Sequence, residues 1–251
     1  MTEYRIRMMR REEIPAIVEM VRASFDSSLR PYMIYGQSGI CSYLSIPFKY
    51  PDLVYAQESS VVTIDGGVVA YAEFRLIDSS TAFLSYICVA PHFQGRGIAS
   101  QLIERFLAMK PGITELNLDV FPDNARARKL YEKLGFRRRA TSAWVRRSLP
   151  PPAGALGIPS LPAAMAAFDK YGFCEFDVVI GQDLTRVGLL GSNTVRCTTV
   201  KSFEDDLLLG GLREAFSQLT GAFAVLPHAQ SSTLTTAHEV LTLSDRMTLA
   251  V

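Results

Sequence analysis

The sequence predicts a mixed α/β fold in two parts: an α+β sheet domain over residues 1–148, then a smaller α/β unit over 163–251. Three observations carry this. Residues 54–89 read as a β-region of three apolar strands with a short hairpin turn, and beyond Pro91 the apolar residues take helical spacing, so strands give way to helix–strand alternation. Ser148–Pro162 holds five prolines and two glycines, which resist helix and sheet alike and mark 149–162 as a linker. Charge also divides there. Residues 1–150 hold 20 Lys/Arg against 15 Asp/Glu, a net of +5, whereas residues 151–251 hold 6 against 10, a net of −4.

Each element has its own signal. Tyr4–Met9 alternates as a strand, and Ile14, Ile17, Val18, Val21 and Phe25 give Arg11–Phe25 one apolar helical face. Residues 26–51 are irregular and rich in aromatics: Tyr32, Tyr35, Tyr43, Phe48 and Tyr50. Val54–Ile64 and Val68–Ile77 form a hairpin through Asp65-Gly66-Gly67, whose glycines supply positive φ, and Ala82–Val89 is a third strand. After Gln94-Gly95-Arg96-Gly97, Ile98–Met109 is a helix with Ile98, Leu102, Ile103, Phe106 and Leu107 on one face. Pro111-Gly112 stops it, Glu115–Phe121 alternates, Asn124–Leu134 is a short helix ended by Gly135, and Phe136–Arg147 closes the domain.

Beyond the linker, Ala163–Tyr171 reads as a helix, and Phe173–Ile180, Thr194–Val200 and Ala222–Leu226 as strands. Ser202-Phe203-Glu204-Asp205 has capping-box form and opens a helix buried through Phe203, Leu207, Leu208, Leu212, Phe216 and Leu219. The Ser/Thr-rich end from Ala229 holds at most one more strand. Tyr131-Glu-Lys-Leu-Gly-Phe136 is echoed by Phe168-Asp-Lys-Tyr-Gly-Phe173. An offset of 37 residues is too short for a duplicated domain, so either a recurring helix–Gly–strand junction or a shrunken second copy explains it.

Composition removes several function classes. With 48% apolar and 20% charged residues and a net charge of +1, there is material for a core but no electrostatic case for nucleic acid or a membrane. Cys41, Cys88, Cys174 and Cys197, with His92, His228 and His238, lack zinc-site spacing, so no metal is expected and the thiols read as reduced. The start MTEYRIRMMRREE lacks the apolar core of a signal peptide, and no apolar run reaches the roughly 18–20 residues that span a bilayer. The expected location is cytoplasmic.

The chemistry concentrates in Ile87-Cys-Val-Ala-Pro-His-Phe-Gln-Gly-Arg-Gly-Ile-Ala-Ser100, where a strand passes through a glycine turn into a helix. The first N–H groups of such a helix lack intrahelical acceptors, and its dipole adds about half a positive charge. Glycines let the backbone approach a ligand closely, so the turn is an anion cradle suited to a pyrophosphate. A dinucleotide-binding turn is the competing reading, with Glu115 and Asp119 near its acidic position. Against it, Ser100 stands where the third glycine belongs, and the preceding strands are joined by a hairpin.

Val89-Ala-Pro-x-x-Gln94-Gly-Arg-Gly-Ile-Ala99, followed by Asn124-Ala-Arg-Ala-Arg-Lys-Leu-Tyr-Glu-Lys-Leu-Gly-Phe136, resembles the two signature blocks of the GNAT N-acetyltransferases over residues 3–147. The resemblance implies a GNAT acyl-CoA acyltransferase fold and acetyl-CoA as cosubstrate. It implies an acetyl group moved to a primary amine, of a small molecule or a peptide N-terminus, by direct attack in a ternary complex. Ile87, Cys88 and Val89 would offer backbone groups to the pantetheine arm. Amides of Gln94, Gly95, Arg96, Gly97, Ile98, Ala99 and Ser100 would hold the pyrophosphate, and Asn124 would bond the cofactor near the second helix. Tyr131 would lie beside the sulfur as the acid that protonates the leaving thiolate, with an N–H at or near Val89 as oxyanion donor.

The base has two candidates. Asp119 resembles a position held by Glu in the ribosomal-protein alanine acetyltransferases, one methylene longer, and Glu73 lies on the preceding strand. Either could instead be a surface partner for nearby arginines. The aromatics of 26–51 either line an acceptor pocket or roof the core, and Arg137–Arg139 with Arg146 and Arg147 form a basic run. Lack of an unambiguous base leaves a second function open, an acyl-CoA-binding regulatory module without turnover. Residues 163–251 lack the Q-x-x-G-x-G pattern and are expected to bind no cofactor. They read as a degenerate half of the same fold that covers the acceptor cleft or pairs subunits into a homodimer.

Overall fold

A computed structural model describes residues 4–53 and 56–251. In chain order the elements begin with β1 (Arg5–Met8), α1 (Ile14–Ala23), α2 (Ile40–Leu44), α3 (Ile46–Lys49), β2 (Gln57–Ile64), β3 (Gly67–Leu76) and β4 (Thr81–Val89). They continue with α4 (Ile98–Met109), β5 (Glu115–Val120), α5 (Ala125–Lys133), β6 (Arg137–Ser148), α6 (Leu161–Tyr171), β7 (Phe173–Ile180), β8 (Asp183–Leu190) and β9 (Thr194–Cys197). The last are α7 (Val200–Glu204), α8 (Asp206–Ala215), β10 (Gly221–Pro227), α9 (His228–Ser231) and β11 (Glu239–Ala250). The expected strand start at Val54 lies outside the described residues.

Two compact units divide the chain. The first takes the described residues up to Asp26, those of 44–140, and 245–251; the second takes 27–43 and 141–244. β6 and β11 therefore each have one end in each unit.

In the first unit β1, β2, β3 and β4 pair antiparallel in that order, β5 lies parallel to β4, and Asp245–Ala250 of β11 pairs antiparallel with β5. The β2–β3 turn has positive φ at Asp65 (50°) and Gly66 (83°), the pattern of a type I′ hairpin turn. Asp65 thus takes one left-handed position expected of a glycine, and Gly67 already belongs to β3. α4 buries Ile98, Leu102, Ile103 and Phe106, each contributing about 1.5–3 kcal/mol, and Phe106 stacks on Phe74 of β3 with centroids 3.9 Å apart. That packing fixes where the first turn of α4 points.

In the second unit the pairing order is β6, β10, β9, β8 and β7, with β9–β10 parallel and the rest antiparallel. The sequence reading did not recognise β8, because its outer half (Asp183, Leu184, Arg186) is exposed and breaks the apolar run. The capping box also differs from expectation. Thr199 is the N-cap, its hydroxyl accepting from Ser202 N at 3.1 Å, and a second helix restarts at Asp206 with Asp205 as cap. The weakly patterned C-terminus yields a strand of 12 residues, β11.

The Pro/Gly stretch is packed inside the second unit. Leu149 is buried, and a Cβ on Gly210 or Gly211 of α8 would come within 2.7 Å of Pro151 O or Leu156 Cγ respectively. Two glycines inside a helix cost about 1 kcal/mol each, and here they admit that close approach. The aromatics Tyr32, Tyr35 and Tyr43 likewise serve the second unit. Tyr35 is buried, Tyr32 stacks on Phe223 at 4.6 Å, and Tyr43 meets Phe173 edge-on at 5.1 Å. Much of the basic run is ion-paired: Arg138 with Asp245, Arg146 with Glu239, and Arg147 with Asp206.

Gly135 and Gly172, the glycines of the internal echo, both follow helices with left-handed φ (96° and 77°) and lead into strands. One follows α5 and the other α6, so the echo marks a shared junction chemistry.

Candidate active site

β4 is built to part from its neighbour. Its ladder with β5 covers only Thr81–Leu84 against Glu115–Leu118, so the β5-facing edge of Ser85–Val89 lies beyond the pairing. On the other side β3 stays paired to Val89, with a bulge at Ser85, because Glu73 sits opposite Tyr86 and Phe74 opposite Leu84. A bulge increases local twist and bends the strand. Ser85 Oγ, at the point of divergence, is buried with no hydrogen-bond partner. Periodicity could not reveal the bulge, since it shifts pairing without altering the apolar pattern.

At the end of β4 the chain makes a 3-10 turn, Pro91–Phe93, and then the glycine turn. Gly95 (φ 82°) and Gly97 (φ 78°) are both left-handed, and Gly97 is the N-cap of α4 with no side-chain cap bond. Left-handed φ costs an ordinary L-residue roughly 1–2 kcal/mol, which explains glycine at both positions. The amides of Ile98, Ala99 and Ser100 form the first turn of α4, where no intrahelical acceptor exists.

Gln94 fastens this turn. Its Nε2 donates to Val89 O at 2.9 Å, and its Oε1 accepts from Arg126 Nη1 at 2.5 Å. Sequence reasoning missed Arg126, although its place in the block after Asn124 was the available signal. Arg96 donates to His92 O at 3.1 Å and lies over the Phe93 ring. Asn124 caps α5 through Oδ1, which accepts from Ala127 N at 3.0 Å, leaving its Nδ2 for another partner.

Tyr131, on α5, is 5% exposed and belongs to the core that includes Leu118, Val120 and Phe136. Burial pushes its phenol well above the ordinary tyrosine range, with the nearby Cys88 thiol adding in the same direction. The Cys88 thiol is itself pushed up to about 11 by burial, against a hydrogen bond from Ser24. Both groups therefore stay protonated at neutral pH.

The candidate bases differ. Glu73 is 5% exposed and accepts from Tyr71 OH at 2.9 Å. Asp119 is more open and locked in a two-point ion pair with Arg246, at 2.5 and 3.0 Å. Side chains alternate along a strand, so Asp119 lies on the face of β5 opposite Leu118 and Val120, which pack in the same core as Tyr131. The structure brings the Tyr131 phenol and the Cys88 thiol together, and by the same alternation Glu73 lies on the face of β3 opposite Ala72 and Phe74 of that core, so facing alone does not separate the two carboxylates.

These features fit an acyl-CoA thioester. Main-chain donors at the start of α4 suit a diphosphate, the edge of β4 beyond its pairing with β5 suits an amide-bearing arm, and a protonated phenol lies on α5. Among the described residues no group of three or more His, Cys, Asp or Glu could hold a metal, and no helix is long and apolar enough to cross a membrane. A cavity of about 720 Å³ in the second unit is lined by Tyr32, Asn193, His238 and two arginines already bound to Glu239 and Asp206.

Residues 24–136 match the acetyltransferase (GNAT) family. Over 76 residues the chain is 37% identical to GCN5-related N-acetyltransferase 7, chloroplastic, of Arabidopsis thaliana, covering 29% of this chain and 28% of that one. Over 74 residues it is 36% identical to a mycothiol acetyltransferase of Beutenbergia cavernae, covering 29% and 25%. The match thus spans only about a quarter of the length of either relative. In fold, the chain resembles a candidate acetyltransferase from Pyrococcus horikoshii with a TM-score of 0.67 at 13% identity, over 100% of this chain and 90% of that one.

Proposed function

We propose that this chain, whose residues 24–136 match the acetyltransferase (GNAT) family, moves an acetyl group from acetyl-CoA to a primary amine by direct attack in a ternary complex. The observation that carries the proposal is the pair of left-handed glycines opening α4 beside a strand edge that leaves its neighbour after Leu84. Acetyl-CoA supplies the activated thioester. Amides of residues 95–100 bind its diphosphate, the Gln94 amide being taken by Pro91 O at 3.3 Å, and backbone groups on the β5-facing edge of Ile87–Val89 align the arm. Glu73 takes the proton from the attacking amine, directly or through water, and Tyr131 gives one to the departing sulfur. Glu73 is preferred to Asp119 because Arg246 already neutralises the latter. The test is release of free thiol when the protein is incubated with acetyl-CoA and a panel of small amines and peptides. Turnover unaltered by Tyr131→Phe removes the assigned acid.

One observation favours a second reading, a module that binds acyl-CoA without turnover: both carboxylates already have partners, Tyr71 and Arg246. Tight binding of acetyl-CoA with no product from any amine selects it.

The second unit is proposed to be a degenerate copy of the same fold. Three antiparallel strands (β7, β8, β9), helical residues, a parallel β10, a short helix and a closing strand repeat the connectivity of β2 through β6. The closing strands are exchanged: β6 pairs with β10, and β11 pairs with β5. The turn into α7, Thr198-Thr199, has no glycine, and Thr199 and Ser202 satisfy each other's amides. No cofactor is expected there.

A further inference from the structure

We propose that Asp245, delivered by the last strand of the chain, is a positioning residue for Tyr131 that fixes the helix carrying the phenol. The proposal rests on the acetyl-transfer reading above for its consequence in catalysis, though not for its geometry.

α5 has nine residues, too few to hold a helical path alone, so its orientation depends on what it packs against. β11 supplies much of that support. Asp245, Met247 and Leu249 alternate onto one face of the strand. Asp245 Oδ2 meets Arg128 Nη2 of α5 at 2.5 Å, and its Oδ1 lies 3.6 Å from Arg138 Nη1 of β6. Met247 is buried in the core that contains Tyr131. At the far end, Leu249 Cδ1 lies 3.3 Å from where a Cβ on Gly135 would stand, just past α5. One face of the strand therefore supports α5 from its first turn to its end.

Arg128 precedes Tyr131 by three residues, so the two are neighbours on the helix surface. A carboxylate only 2% exposed is costly to desolvate, and an apolar side chain there would pack at least as well. What the ion pair adds is a directional constraint: Arg128 cannot move along or around the helix axis without leaving Asp245. The opposite face of β11 serves β5 instead, through Arg246 on Asp119 and Thr248 on Asn117.

The test uses the full-length protein with Asp245→Asn. Hydrogen exchange is expected to accelerate in α5 while the α4 amides stay protected. The kcat is expected to fall about 10–100-fold, while KM and the calorimetric Kd for coenzyme A stay within about twofold. Arg128→Gln, at a partly exposed side chain, is expected to give the same pattern and carries the test if Asp245→Asn does not fold. A folded variant with unchanged α5 exchange and unchanged kcat overturns the proposal, as does an equal loss of coenzyme A binding. Should the unmodified protein acetylate no amine, the exchange measurement still decides the clamp, and it is the acetyl-transfer reading that falls.

Discussion

Leu84 and Leu118 are the last residue pair joining β4 to β5. One residue later Ser85 bulges from the ladder with β3, and its buried hydroxyl lacks a partner. This divergence leaves the strand edge that runs on to the left-handed glycine turn, and the expectations below depend on it.

Tyr131→Phe removes the proposed proton donor while keeping the ring that packs against Phe136 at 5.6 Å. Loss of general-acid help is worth about 10²–10⁴-fold, so kcat should fall within that range. The Kd for coenzyme A should hold. Steady-state kinetics and calorimetry on one preparation check both, and a weakened Kd with normal kcat contradicts the assignment.

Burial raises the Tyr131 phenol, and an acid must be protonated to act. A raised value therefore preserves activity as pH rises, moving any alkaline loss above the ordinary tyrosine value of about 10. The pH profile of kcat should show no phenol-dependent decline below that point. A decline near pH 8 that disappears in Tyr131→Phe contradicts the burial argument.

Gly97→Ala places a Cβ at φ 78°. The strain is roughly 1–2 kcal/mol, and relief by local rearrangement turns the first amides of α4 away from the diphosphate. Thermal denaturation should show the stability loss and titration a weaker Kd for coenzyme A. Gly66→Ala, also at positive φ but in the β2–β3 hairpin, should lower stability without touching the Kd.

Glu73→Gln and Asp119→Asn separate the two carboxylates. The buried Glu73 is expected to lower kcat by about 10²-fold or more when neutralised, whereas Asp119, spent on Arg246, should change kcat little. The reverse ranking makes Asp119 the base and releases Glu73 to a structural role.

Much of the first unit was legible because its signals are local. Ile98–Met109 matches its expected limits, since apolar spacing, the preceding glycines and the following Pro111-Gly112 all agree. The glycine turn that precedes it was readable for the same reason. Asp245 was not. Its partner Arg128 is 117 residues away, and nothing in the pattern around residue 245 announces a buried carboxylate. The packing of Pro151 and Leu156 on Gly210 and Gly211 was equally hidden, because prolines and glycines signal irregular backbone whether or not something packs against it. The roofing tyrosines followed the same rule: type and exposure can be guessed locally, but the partner cannot.

The exchanged closing strand makes a stability expectation. Met247 sits in the first unit's core, so Met247→Ala should cost about 2–5 kcal/mol in denaturant unfolding. A chain ending after Ser244 should lose the first unit's cooperative transition, and an unchanged transition contradicts the pairing of β11 with β5.

The most direct test is a crystal structure of the full-length protein with coenzyme A. The expected result places diphosphate oxygens on the amides of residues 95–100, the arm along Ile87–Val89, and the sulfur within hydrogen-bonding reach of the Tyr131 hydroxyl. Coenzyme A bound elsewhere, or a Tyr131 hydroxyl directed away from its sulfur, contradicts it.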